Sequence, residues 1–155
     1  MIKYVKGDLL DAPQKIVVHQ VNCQGVMGSG VAKALRDKYP QVYTNYKAFI
    51  DAQIKDNFFY PDFTNKDLLG MIQFVKVGED RFVCNLFGQN NYLPRTKRHT
   101  DYSALHVGFN DLRSATPEDI AMPKIGCGLG GGDWKLVVPI IESVFNDRDI
   151  YVYEL

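Results

Sequence analysis

Short apolar runs and longer stretches with an apolar residue every three or four positions alternate along this chain, a pattern that predicts strands and helices taking turns. Ile2 to Val5 and Lys15 to Val21 read as strands, the second buried because IVVHQV is nearly continuous in apolar and β-branched residues. GDLLDAP between them reads as a loop. Val31, Ala32, Leu35 and Tyr39 recur at helical spacing up to Pro40, and Gln41 to about Ile54 forms a second helix with Val42, Tyr46 and Phe49 as its inner face. Leu69 to Val77 and Arg81 to Phe87 predict a hairpin turning at Gly78, Glu79 and Asp80. A helix from about Asp101 to Arg113 with Thr100 as N-cap, a strand from Ile120 to Ile125, a helix from Asp133 to Asn146 and a closing strand from Ile150 to Tyr153 complete the series. FFYPDF, Phe58 to Phe63, is interrupted by Pro61 and reads as an exposed aromatic loop. The fold class is α/β, three layers α/β/α around one mixed sheet.

Two glycine-rich turns stand out, NCQGVMGSG from Asn22 to Gly30 and GCGLGGG from Gly126 to Gly132. Each follows a buried strand and opens into a helix. Glycine lets main-chain amides approach a ligand closely, and the helix start that follows adds unpaired N–H donors, so the pair suits an anionic, diphosphate-like ligand. Serving tight turns is the plainer role for either motif alone.

Composition narrows the field. The chain has 155 residues, 46% of them hydrophobic and 23% charged, the size and make-up of one globular domain. No apolar run is long enough to span a bilayer, and the charged start MIKYVKGDLLDAPQK lacks the apolar stretch of a signal peptide, so a cytoplasmic location and no membrane partner are expected. The 18 basic and 18 acidic side chains balance, which argues against broad wrapping of nucleic acid while leaving room for a local basic patch. Cys23, Cys84 and Cys127 lie far apart without CxxC spacing, so reduced thiols are expected, and neither a metal site nor a cofactor is indicated.

Gly126, Gly128 and Gly131 match GxGxxG after a strand and before a helix, the pattern of dinucleotide-binding folds. Too little chain follows Gly131 for the second mononucleotide half that such a fold requires.

YVKGDLL at Tyr4 to Leu10, HQVNCQGVMGSGVA at His19 to Ala32, YLPRTKRH at Tyr92 to His99, MPKIGCGLGGGDW at Met122 to Trp134 and the terminal YVYEL occur together and in this order. On these motifs the chain resembles a macrodomain, the ADP-ribose-binding α/β/α module, over nearly its whole length. The resemblance implies one macrodomain over residues 1–155. It is strongest to the branch with terminal ADP-ribose protein glycohydrolase, the antitoxins that remove ADP-ribose from DNA, and ADP-ribose 1''-phosphate phosphatases.

The resemblance implies site roles. Asp8, followed by Leu9, matches the acidic residue that takes a hydrogen bond from the adenine amino group; a strand-end turn residue is its alternative role. Asn22 and the turn Gly25, Val26, Met27, Gly28, Ser29 and Gly30 surround the distal ribose. Ile125, Gly126, Cys127, Gly128, Leu129, Gly130 and Gly131 cradle the diphosphate, and Tyr153 or Leu155 lies near adenine. Lys97 matches the lysine that attacks the anomeric carbon, among the charges of Arg95, Arg98 and His99; a solvated basic loop is the alternative for this segment. In the eukaryotic glycohydrolase branch that the chain resembles, an acid/base aspartate follows GCGL, where this chain has Gly130. Asp133 is the next carboxylate, and a helix N-cap is its alternative role. His19 matches a histidine of the relatives and suits proton transfer, or else fills an apolar strand as a core residue. The thiols Cys23 and Cys127 flank the turns as packing residues.

The implied activity is that of a hydrolase removing ADP-ribose from a modified macromolecule, DNA or protein. ADP-ribose 1''-phosphate phosphatase and non-catalytic ADP-ribose reader are the alternatives. The implied partners are ADP-ribose or an ADP-ribosylated substrate, with nucleic-acid contact through Arg95, Lys97 and Arg98. A monomer is expected.

Overall fold

The computed structural model describes residues 1–155. Its elements are β1 (Ile2–Lys6), β2 (Ile16–Asn22), α1 (Gly30–Lys38), α2 (Pro40–Lys55), β3 (Ile72–Gly78), β4 (Arg81–Gln89), α3 (Tyr102–Ala115), β5 (Ile120–Met122), α4 (Trp134–Val144) and β6 (Ile150–Glu154). The six strands form one sheet in the order β1-β6-β5-β2-β4-β3, parallel except for the antiparallel β3–β4 hairpin. The sheet is mixed, as its hairpin predicts.

Strand alternation divides the core in two. Ile16, Val18, Cys84 and Leu86 face α3 and α4, where they meet Phe109, Leu112, Val137 and Ile141. Val17, Val21, Val83 and Phe87 face α1 and α2, where they meet Leu35, Val42, Tyr46 and Ile50. Each such aliphatic side chain contributes roughly 1.5–3 kcal/mol on full burial, and a one-residue slip of β2 would exchange its two apolar faces. Register is therefore fixed by a strand with two matched sides.

Local chemistry moves several boundaries. Asp101, not Thr100, caps α3, accepting from the Ala104 amide at 3.0 Å, because the Thr100 hydroxyl is engaged elsewhere. β5 stops at Met122 instead of Ile125, since Pro123 has no N–H for the ladder. The inner face of α2 is Val42, Tyr46 and Ile50, with Phe49 half-buried and stacked on Phe87 at 5.6 Å. The GDLLDAP segment holds one 3-10 turn, Leu9–Asp11. α4 carries Pro139 in its interior, on an exposed position. No helix is long and apolar enough to cross a membrane.

The strand order decides where the site lies. β2 and β5 are adjacent and parallel, so the glycine turns that follow them leave the sheet side by side at its carboxyl end.

Candidate active site

The first turn is built around Asn22 and Tyr46. The Asn22 Oδ1 accepts from the amides of Gln24 at 2.9 Å and Val26 at 3.3 Å, while its Nδ2 donates to the Val26 carbonyl at 2.7 Å. The buried Tyr46 hydroxyl donates toward the Asn22 carbonyl at 2.5 Å and accepts from the Gly25 amide at 3.1 Å. Asn22 thus spends most of its hydrogen-bonding capacity on the turn itself. Where α1 begins, Ser29 makes no side-chain cap, and the first helical bond runs from the Lys33 amide to the Ser29 carbonyl. The amides of Gly30, Val31 and Ala32 are left pointing out of the helix start, and all three residues line a cleft.

The second turn forms the other wall. Gly126, at φ +77°, reverses the chain, and its carbonyl accepts from the Gly132 amide at 2.8 Å and the Thr100 hydroxyl at 2.6 Å. Thr100 accepts in turn from the Gln20 Nε2 at 3.0 Å, which also donates to the Gln89 Oε1 at 2.7 Å. The amides of His99 and Thr100 converge on the Gly130 carbonyl at 2.8 and 3.0 Å. This scaffolding engages the carbonyls of Gly126, Gly128 and Gly130, while the amides of Gly128, Leu129 and Gly130, three residues that line the cleft, have no partner within the protein. A Cβ at residue 130 would lie 2.5 Å from the Thr100 Oγ1 and 2.9 Å from the Gln20 Nε2, so no side chain fits there without displacing the network.

Between the walls lie His19, Gln20 and Asn22, and Tyr92, Arg95 and Lys124 stand at the rim. No aspartate or glutamate lines the cleft. With amide donors on both sides and two cations at the rim, the lining favours an anion.

His19 is fully buried and its Nε2 lies 2.5 Å from the Asn85 Oδ1. Asn85 donates through Nδ2 to the Gln73 Oε1 at 3.1 Å, which fixes its oxygen toward His19, so the imidazole donates from Nε2 and keeps Nδ1 as a bare acceptor. Burial pushes the His19 pKa down to about 4, against the smaller opposing effect of Asn85. The ring is neutral at pH 7. Burial also pushes the Cys23 thiol up to about 12 and the Cys127 thiol up to about 11, with the Asp133 charge adding to the latter, so neither is a thiolate nucleophile.

Of the residues read from the sequence, His19, Asn22, Val26, Met27, Gly28, Ser29, Gly30, Gly126, Gly128, Leu129 and Gly130 line the cleft. Gly25, Ile125, Cys127 and Gly131 belong to the two turns without lining it. Asp8 caps the 3-10 turn through the Leu10 amide at 2.9 Å, and Leu9 is buried in the core. The Tyr153 hydroxyl donates to the Gln14 Oε1 at 2.9 Å, and Leu155 is exposed. These four lie in β6 or just after β1 and β6, at the same end of the sheet, where the Gly7 amide meets the Glu154 carbonyl at 2.7 Å and Glu154 pairs with Lys124 at 2.7 Å. Lys97 and Arg98 are exposed on the loop whose Arg95 reaches the cleft, and Lys97 does not line it. Asp133 caps α4 through the Lys135 amide at 3.0 Å, outside the cleft.

Sequence reasoning gave Gln20 no role and read Tyr46 only as an inner-face residue of α2 and Thr100 only as an N-cap, so their part in the site was missed. A polar His19–Gln20 pair inside an otherwise apolar strand was the one available signal.

No family model matches the chain. The DNA ADP-ribosyl glycohydrolase of Mycobacterium bovis is 30% identical over 166 residues, an alignment taking in 99% of this chain and 42% of that protein. The chain therefore spans about two fifths of the length of that relative. The ADP-ribose 1''-phosphate phosphatase of Saccharomyces cerevisiae is 25% identical over 178 residues, covering 99% of this chain and 98% of the yeast protein. Among solved structures, the macrodomain of Mycobacterium tuberculosis DarG superposes with a TM-score of 0.77 at 26% identity, over 100% of this chain and 98% of that one. The chain belongs to the macrodomain family. In this macrodomain the two glycine turns are the cleft walls.

Proposed function

We propose that this macrodomain binds ADP-ribose and is a hydrolase that removes it from a modified macromolecule, with DNA as the carrier. One observation carries the reading: two main-chain amide walls, on adjacent parallel strands, face each other across a cleft free of carboxylates. Such walls bind a diphosphate by hydrogen bonds that need no side-chain charge. The name of the mycobacterial relative supports the choice of carrier. In this reading Lys97, on the loop that brings Arg95 to the rim, serves as nucleophile or positioning cation at the distal ribose. Arg95, Lys97 and Arg98 contact the phosphate backbone beside the cleft.

His19, beneath the cleft floor, is a neutral ring whose buried Nδ1 acceptor has no partner in the fold, and in this reading it holds a ribose hydroxyl or a water only if one reaches that atom, without delivering a proton. The phosphatase reading rests on this acceptor together with the end-to-end match to the yeast phosphatase. Calorimetric titration with ADP-ribose tests the ligand, and absence of heat rejects both readings. Incubation with ADP-ribosylated DNA, ADP-ribosylated protein and ADP-ribose 1''-phosphate then separates them: free ADP-ribose marks the glycohydrolase, inorganic phosphate the phosphatase. Lys97→Ala is expected to abolish release while binding survives.

A further inference from the structure

The segment from Pro94 to His99, between β4 and α3, is closed on itself by a side chain. The Pro94 carbonyl accepts from the Lys97 amide at 3.3 Å, and the His99 Nε2 lies 2.7 Å from the same oxygen. A carbonyl only accepts, so Nε2 carries the proton and donates, in the neutral and the charged imidazole alike. Grouped by sequence with the charges around Lys97, His99 instead works through a hydrogen bond that does not depend on its charge.

The closed segment rests on the second glycine wall. The His99 amide donates to the Gly130 carbonyl at 2.8 Å, so one residue ties the segment both to its own start and to the cleft. Gly131, at φ +73°, leaves the space the segment occupies: a Cβ there would lie 3.2 Å from the Arg98 Cα and 3.6 Å from the Lys97 carbonyl oxygen. The Arg98 guanidinium sits over the Tyr102 ring at 5.0 Å, and the Tyr102 hydroxyl accepts from the Asp133 amide at 2.9 Å. Arg95, in the same segment, reaches the cleft lining. Lys97, between these anchors, is exposed and has no carboxylate within ion-pairing distance.

Resting on the reading of Lys97 as nucleophile or positioning cation, we infer that His99 is a positioning residue for Lys97. A lysine ammonium ends a flexible four-carbon stem, so an exposed one is placed only as well as its backbone is held. The main-chain bonds of His99 and Thr100 to Gly130 fix the end of the segment, and the imidazole fixes its beginning and with it the curve that carries Lys97. An error of about 1 Å in the place of such a group can cost roughly a hundredfold in rate. The amide walls that bind the diphosphate lie outside this ring, so losing the imidazole should act on turnover and spare binding.

The test compares His99→Ala with His99→Gln, whose side-chain amide also donates toward Pro94; His99 belongs to neither core, so both variants should fold. On an ADP-ribosylated oligonucleotide, His99→Ala should lower kcat by about tenfold or more, with His99→Gln recovering most of the loss and the Kd for free ADP-ribose staying near native in both. Reductive trapping reads Lys97 directly: its Nζ condenses with the open-chain aldehyde of bound ADP-ribose, water leaves, and cyanoborohydride delivers hydride to the imine, giving an adduct that mass spectrometry assigns to its residue. The trapping rate on saturated protein should fall with kcat in His99→Ala. Native kcat in His99→Ala, a lowered kcat with native trapping, or His99→Gln no better than His99→Ala overturns the inference. A loss confined to ADP-ribose affinity does so too and assigns His99 to the diphosphate wall. If Lys97→Ala keeps native turnover, the role of Lys97 falls and this inference with it; if ADP-ribose does not bind the native protein, the functional reading falls first and takes the inference along.

Discussion

Gln20 and Thr100, eighty positions apart in the chain, are joined by a 3.0 Å hydrogen bond that holds up the second wall of the cleft. Through it the last turn of β2 supports the hydroxyl that in turn grips the Gly126 carbonyl. Thr100→Val keeps the shape and removes the hydroxyl, leaving the Gly126 carbonyl held only by the Gly132 amide and the Gln20 Nε2 only by Gln89. Chemical denaturation should show a loss of about 0.5–1.5 kcal/mol, and titration should show ADP-ribose affinity reduced as the loop amides lose their alignment.

Gly130→Asp would place a carboxylate after GCGL, where resemblance to the eukaryotic glycohydrolase branch implies an acid/base group. Because a Cβ there falls 2.5 Å from the Thr100 Oγ1, the variant is expected to lose ADP-ribose binding and to gain no turnover. Assay of ADP-ribosylated DNA decides it; a rise in kcat would show that the loop can open around the new side chain.

Tyr46→Phe removes the hydroxyl that links α2 to the Asn22 carbonyl and the Gly25 amide. We expect a stability loss of about 2 kcal/mol by urea titration. Weaker ADP-ribose binding should accompany it, because the start of α1 is aligned through this turn.

His19 titrates at about 4 in the fold against 6.5 for an unperturbed histidine. As pH falls below 6.5 the unfolded chain takes up a proton that the folded ring refuses until about pH 4. Stability present above 6.5 is therefore lost through that window, by up to roughly 3 kcal/mol. Denaturation midpoints between pH 5 and 7 should fall with acidity in the native protein and flatten in His19→Gln.

The order of strands and helices was legible because each element carries its own period, and the hairpin because its turn is local. The two glycine walls were legible for the same reason, being continuous segments with strand before and helix after. The supports behind them were not. Gln20, Tyr46 and Thr100 act across long separations, and an isolated polar residue in a strand or helix gives no sign of which distant group it will meet. Thr100 shows the cost: by sequence it is a good cap for α3, yet its hydroxyl is committed to the Gly126 carbonyl and Asp101 takes the capping position. Asp133, by contrast, has only local partners, and its capping role could be read directly.

The cleft that lacks carboxylates has a kinetic corollary. Peptide N–H donors neither gain nor lose protons, so they grip a liberated diphosphate as firmly as a tethered one, and no carboxylate lines the cleft to push it out. An enzyme built in this way should be slowed by its own accumulating product, and departure of that product, more than bond cleavage, would then set the pace of successive cycles.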